Sequence, residues 1–303
     1  MFLGLKIDVC TYDGLRLGVP NLLRLLDRHK VRASFFVALG PDTSGRAIFQ
    51  VFRPGFLSKM RRTKAIRTYG LRTILSGTLL PPRHIGRGLA HILRGIAHEG
   101  HEVAIHGYDH RRWQDHLHRM DALAIRAELD RAVAAYREIL GTDPRGFGAP
   151  GWQCNAASLR LLDLHGFVYA SDTRGSHPFV PLVDGRALRI PQLPTTVPTL
   201  DEALRLAVSD TGDFVRLVQK AIGTQRWPVL TIHAEMEGTR YLSVADRLLD
   251  AVGADGATFV PLENMLKIFE KEAAGRMPMV EVVSHSIHGR AGTVSMPSGL
   301  EIT

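Results

Sequence analysis

Short apolar runs, each closed by a polar residue, alternate along the chain with stretches whose apolar residues recur at helical spacing. Residues 3–9 form the first run, with Asp8 near its end and Cys10 and Thr11 just beyond. The leucines at 22, 23, 25 and 26 then repeat at helical period behind Pro20, a residue suited to a first turn. Residues 33–39 are a continuous apolar run, the pattern of a strand buried on both faces. Strand, helix and strand in this order predict a βαβ unit. Residues 103–105 are another buried run and end on His106, and Phe147 to Trp152 reads as a strand end with tight backbone. Further strands are predicted over 167–175, 186–191, 227–233 and 258–261. Helices are predicted over 120–140, with Gly141 as C-cap, over 155–165, closed by Gly166, and over 213–222, 244–252 and 262–273. The polar residues Asp8, His106, Trp152, Asp172 and His233 all fall where these runs stop. That is the layout of a barrel-like α/β fold whose active site forms at the C-terminal rim of its strands. From Gly275 onward no periodicity is visible, and the tail is expected to be partly disordered.

Composition leaves this picture in place. The chain has 303 residues, 45% of them apolar and 22% charged, with mean hydropathy near zero, which suits a soluble globular protein with ample core. The first residues run quickly into Lys6 and Asp8 without a long apolar stretch, so no signal peptide is expected. No window of 18 uncharged apolar residues occurs, and Cys10 and Cys154 do not suggest a disulfide framework. Cytosolic residence is the simplest expectation.

Charge changes the picture in one place. The net charge is +8, yet no Asp or Glu occurs between Asp42 and Glu99, where eleven of the 38 Lys and Arg lie. The rest of the chain, with 27 basic and 30 acidic residues, carries −3. Within this gap Phe49, Phe52, Phe56, Ile66 and Leu71 interleave with Arg53, Lys59, Arg61, Arg62, Lys64 and Arg67. The stretch delays the next strand, as an insertion of about residues 44–84 would. It suits an amphipathic segment on an anionic membrane surface, a helix pair packed on the domain, or a nucleic-acid contact.

Candidate chemistry centres on residues 102–115. His106 and His110 stand four apart at the mouth of a strand, with Gly107 between, and two imidazoles so placed can hold one metal ion. Two solvated loop histidines would show the same spacing. The other polar strand ends favour the site.

Together these segments resemble the polysaccharide deacetylase, or NodB-homology, superfamily, a distorted (β/α)7 barrel with an Asp–His–His metal site. His106-Gly-Tyr-Asp-His110 is similar to its metal motif, with Gly107 in place of Ser or Thr; Ile7-Asp-Val-Cys-Thr is similar to its first acidic motif, Leu230-Thr-Ile-His233 to its late histidine motif, and Phe147-Gly-Ala-Pro-Gly-Trp152 to its groove wall. Gly18-Val-Pro, Gly40-Pro-Asp, Arg53-Pro, Ser171-Asp-Thr-Arg-Gly and His233-Ala-Glu-Met-Glu-Gly resemble one branch in particular. That branch removes the N-formyl group from 4-deoxy-4-formamido-L-arabinopyranosyl undecaprenyl phosphate, in aminoarabinose modification of lipid A and polymyxin resistance.

The resemblance implies a single catalytic domain over residues 1–272, a tail over 273–303, and peripheral residence on the cytoplasmic side of the bacterial inner membrane. It makes the basic insertion a membrane-surface segment and leaves nucleic acid without a role. It implies that His106 and His110 hold a divalent metal, that Asp8 is the general base and that His233 protonates the leaving amine. The family's metal-binding Asp falls at Cys10. A thiolate there would favour zinc, with cobalt or manganese as other occupants; two rival readings are that Asp8 itself ligates the ion, or that the site is disabled. Asp172 is expected either to orient His233 or to pair with Arg174. Trp152 is expected as a sugar-facing wall or as core. Arg174 is expected on the carrier phosphate, and Glu235 and Glu237 on substrate hydroxyls or the amine. The alternatives in function are an N-deacetylase of another N-acylated sugar and an inactivated membrane-associated homologue.

Overall fold

A computed structural model of the chain describes residues 1–46, 75–205, 211–273, 276–288, 290 and 292–300. The six membrane-surface candidates Arg53, Lys59, Arg61, Arg62, Lys64 and Arg67 lie outside the described residues, as does most of the insertion. The strands are β1 (Phe2–Val9), β2 (Ser34–Val37), β3 (Glu102–Ile105), β4 (Gly146–Phe147), β5 (Tyr169–Ala170), β6 (Val180–Val183), β7 (Arg186–Ala187), β8 (Val229–His233), β9 (Thr258–Val260), β10 (Met279–His285) and β11 (Val294–Pro297). Among the described residues, β5-β4-β3-β2-β1-β8 form a curled parallel sheet, and β9 adds to the N-terminal end of β1. With helices between successive strands, this is the barrel-like α/β fold that the alternation predicted.

Period-two alternation sorts the strand residues into two populations. Leu3, Leu5, Ile7 and Val9 of β1, Phe35 and Val37 of β2, Ile105 of β3 and Ile232 of β8 share one core cluster with helix residues such as Leu22, Leu26 and Leu248. The alternate positions point into the barrel. At its N-terminal end Phe36, Ala104 and Val229 pack with Leu262 and Leu266 of helix Leu262–Glu272, which closes the floor. There the Leu262 N–H donates to Ser34 Oγ at 2.7 Å, and the Tyr169 hydroxyl donates to Glu102 at 2.8 Å. The same alternation puts Lys6, Asp8, Thr231, His233 and, one residue beyond β3, His106 on the interior at or towards the opposite end. Register sets Asp8 directly beside His233 on β8.

Helix ends follow their chemistry. Asn155 and Ser158 make a reciprocal capping box at the start of Ala156–His165, and Gly141 (φ 72°) ends Ala122–Leu140 in the left-handed region that glycine accepts without penalty.

The tail, expected to be partly disordered, carries two strands, β10 and β11, in a second sheet of order β11-β10-β6-β7. The strand expected over 186–191 is β7, two residues long, and it lies at the edge of that second sheet, in a hairpin with β6, and not in the parallel sheet. Pairing with β6, far away in sequence, stabilises the tail, which periodicity within the tail could not reveal.

Candidate active site

Cys10, His106 and His110 each offer a ligand atom, and these atoms lie within 4.8 Å of one another. Local structure explains how each arrives. Cys10 leaves β1 in a turn held by Glu235: its carboxylate Oε1 accepts the N–H of Cys10 (2.8 Å), the N–H of Thr11 (2.8 Å) and the Thr11 hydroxyl (3.0 Å). His106 Nδ1–H donates to the Gly148 carbonyl at 2.8 Å, which fixes the ring and leaves Nε2 for a ligand. Burial lowers the His106 pKa to about 4, and burial, then His106, pushes that of His110 well down, so both imidazoles are neutral as ligation requires. Gly107 takes φ 76°, and a Cβ there would meet Pro150 at 3.2 Å, which accounts for glycine inside the motif.

His110 opens helix His110–His116, capped by Asp109, which accepts the Arg112 N–H (3.0 Å) and the Thr43 hydroxyl (2.8 Å). The two imidazole centroids are 5.0 Å apart.

Asp8 is buried beside this cluster, with Oδ2 3.9 Å from His106 Nε2 and Oδ1 3.6 Å from Lys6 Nζ. Asp8 Oδ1 has no hydrogen-bond partner, although it is fully enclosed. Lys6 has no exposed surface; it lies over the Phe36 ring and donates to the Ser171 carbonyl at 3.1 Å. Lys6 stands between Leu5 and Ile7 in the first apolar run, so a lysine inside a buried strand is visible in the sequence, though not what it pairs with.

His233 comes from the end of β8, and its N–H donates to Glu237 Oε2 at 3.0 Å. Burial alone would lower the His233 pKa, but the carboxylates of Asp201, Asp8, Glu237 and Glu235 outweigh it and the net shift is upward. Burial raises Glu237 to about 7, against the pull of His233. Asp201, the largest of the acidic influences on His233, lies on helix Leu200–Arg205, and no local pattern marks it.

Other predicted residues have different partners from those expected. Asp172 accepts the Ala149 N–H at 2.8 Å and Gln192 Nε2 at 2.9 Å, so it holds the wall loop in place. Burial raises its pKa to about 6. Arg174 is 2% exposed, paired with Glu202 at 2.5 Å and bonded to the carbonyls of Thr195 and Val197, a buried structural ion pair. Trp152 is 3% exposed and packs against Val294 and Met296 of the tail, its indole N–H on Thr195 Oγ1 at 3.1 Å. Its backbone sits at φ 54°, a strained value for a bulky residue, held by these contacts. Glu235 and Glu237 brace backbone at Cys10, Thr11 and His233.

One thiol and two neutral imidazoles thus gather at the rim of the parallel strands, with the Asp8 carboxylate and the His233 imidazole, its pKa raised, beside them. The chain belongs to the polysaccharide deacetylase family, whose model matches residues 6–170. It is 37% identical over 96% of its length, and 93% of the relative's, to a protein of Shewanella sediminis named a probable 4-deoxy-4-formamido-L-arabinose-phosphoundecaprenol deformylase, ArnD. It is 31% identical over 93% of its length, and 97% of the relative's, to a protein of Wigglesworthia glossinidia brevipalpis with the same name. A crystal structure from Mycobacterium smegmatis, assigned to the polysaccharide deacetylases, shares the fold at TM-score 0.64 and 19% identity, covering 94% of each chain.

Proposed function

We propose that this protein hydrolyses the N-formyl group of a formamido-arabinose linked through phosphate to a polyprenyl carrier, with a divalent metal at Cys10, His106 and His110. The observation that carries it is the convergence of those three ligand atoms beside Asp8 and His233. The donor set fits an ion: two neutral nitrogens, a sulfur, and the buried Asp8 carboxylate with Oδ2 3.9 Å from His106 Nε2. Such an ion lowers the pKa of water and polarises a carbonyl, and the sulfur favours zinc. Asp8 accepts the proton of the attacking water, and His233 gives a proton to the leaving nitrogen, so formate and a free amine result.

One observation favours a second reading. Burial, with Glu235 and Asp8 adding to it, pushes the Cys10 thiol well above its ordinary pKa, so binding an ion there must displace a firmly held proton. The second reading is therefore a site weakened at position 10. Formate release from the lipid-linked sugar, measured after chelation and zinc return, tests both. Zinc-restored release supports the deformylase; acetate from an N-acetyl analogue with no formate release would replace it with a deacetylase. Silence in the parent with activity in Cys10→Asp would mean that position 10 disables the chemistry.

Membrane-surface binding, at the cytoplasmic face, completes the proposal. No helix among the described residues is long and apolar enough to cross a membrane. The two ends of the insertion are pinned together, Gly45 N–H on the Ser76 carbonyl at 2.9 Å, beside the site loops: Asp42 accepts the Tyr12 N–H and Thr43 bonds Asp109. Leu79, just past the second root, is 80% exposed. The described residues on both sides of the basic stretch therefore lie beside the loops of the proposed site, which suits a substrate held by a lipid anchor. Sedimentation with phosphatidylglycerol vesicles is expected at low salt and to weaken as salt rises, each basic residue at the surface contributing on the order of 1 kcal/mol. No binding at any salt would remove this part.

A further inference from the structure

The tail brings one more cation to the site. Arg290 lies between β10 and β11, with its guanidinium 4.6 Å over the Trp152 ring. Its Nη2 donates to the Gly151 carbonyl at 3.3 Å, and its Nη1 is 3.8 Å from Glu202 Oε1. The Trp152 ring in turn meets the His233 ring edge-on at 6.4 Å. Arg290 also belongs to the charged groups acting on His110. It therefore lies on the ring that in turn meets His233.

The other cations near this ring are enclosed. Lys6 is fully buried beneath Asp8, and Arg174 is sealed against Glu202. The Arg290 side chain keeps 14% of its surface open, against 2% for Arg174. A planar guanidinium matches two oxygens of a phosphate with parallel hydrogen bonds, and stacking on an indole holds its plane in place.

We propose that Arg290, delivered by the C-terminal segment, binds the phosphate that joins the sugar to its lipid carrier and so fixes the formamide against the catalytic residues. This assignment rests on the deformylase reading for its substrate. It replaces Arg174 in that role and gives the second sheet a function: β10 and β11 hold the arginine over Trp152. The chemistry recognised is a phosphate mono- or diester, which the substrate's linkage and a lipid headgroup both offer.

Calorimetric titration of the full-length protein with octyl phosphate tests the contact without any reaction. Arg290→Ala is expected to weaken binding roughly tenfold to hundredfold, the range for a charge-assisted bond, and Arg290→Lys to lose less. Equal affinities for parent and Arg290→Ala, or equal losses in the two variants, overturn the proposal. Phosphatidylglycerol vesicles separate the two phosphate sources. Unchanged vesicle binding by Arg290→Ala supports the carrier linkage, whereas a loss on vesicles without a loss on octyl phosphate makes Arg290 a headgroup contact and overturns it. In turnover, Arg290→Ala should lower kcat/KM for the phosphate-linked sugar by about the factor lost in octyl phosphate affinity, and lower that for a phosphate-free methyl glycoside by much less. Equal losses on both substrates overturn it. If the parent releases formate from neither substrate, the deformylase reading fails, and the octyl phosphate titration still decides whether Arg290 binds phosphate.

Discussion

Replacing His233 with alanine is expected to lower kcat/KM for formate release by roughly 10²- to 10⁴-fold, the ordinary contribution of a positioned acid. The amine leaving an amide is too basic to depart without a proton, and on the described rim His233 is the imidazole outside the cluster of Cys10, His106 and His110. Its environment suits that task. Four carboxylates, led by Asp201, hold its pKa above the usual imidazole value in spite of burial. A raised pKa means that the acid form survives to higher pH, so the activity that needs it is present below the folded pKa and is lost as pH rises through it. The alkaline limb of kcat/KM should thus lie above 6.5, the ordinary imidazole value, and vanish in His233→Ala. Asp201→Asn should move the limb to lower pH by removing the largest acidic influence. An alkaline limb that stays put in His233→Ala would assign the acid to another group.

Arg174→Met is expected to cost about 3–5 kcal/mol of stability, the range for breaking a buried ion pair from one side. The Glu202 carboxylate, 3% exposed, would be left in the interior with the Thr199 N–H at 3.1 Å and the more distant Arg290 as its remaining neighbours. The carbonyls of Thr195 and Val197 would each lose a donor as well. Denaturant unfolding reads this directly, and the double variant Arg174→Met/Glu202→Leu should recover most of the loss, because an apolar pair of similar volume carries no unpaired charge. A single-variant loss below about 1 kcal/mol would mean that the pair is solvated and that Arg174 is available to ligands after all. The two arginines thus separate by measurement: Arg174 should move stability, and Arg290 should move phosphate affinity.

Local sequence carried much of the architecture. Continuous apolar runs such as 33–39 can only be strands covered on both faces or short buried helices, and their lengths chose strands. Gly141 and Gly166 marked helix ends because a left-handed residue ends a helix wherever it stands. Cys10 enters the candidate set only through the resemblance, but His106 and His110 are legible as a pair from their spacing. For such features the deciding interactions reach only a few residues along the chain.

Tertiary structure alone decided the rest. A strand's period assigns residues to two faces but not which face is interior, so Lys6 gave no hint that it lies under Asp8. Asp201 and Arg290 reach the site from a short helix and from the tail, and neither carries a pattern of its own. The same holds for what became unavailable. Trp152 reads as a sugar-facing wall or as core until Val294 and Met296 cover it, Arg174 as a phosphate contact or a partner of Asp172 until Glu202 encloses it, and Glu235 as a substrate contact until the turn at Cys10 claims its carboxylate. Whether a polar side chain is free to meet a ligand depends on the partners it has already found, and those partners lie from about thirty to more than two hundred residues away in the chain.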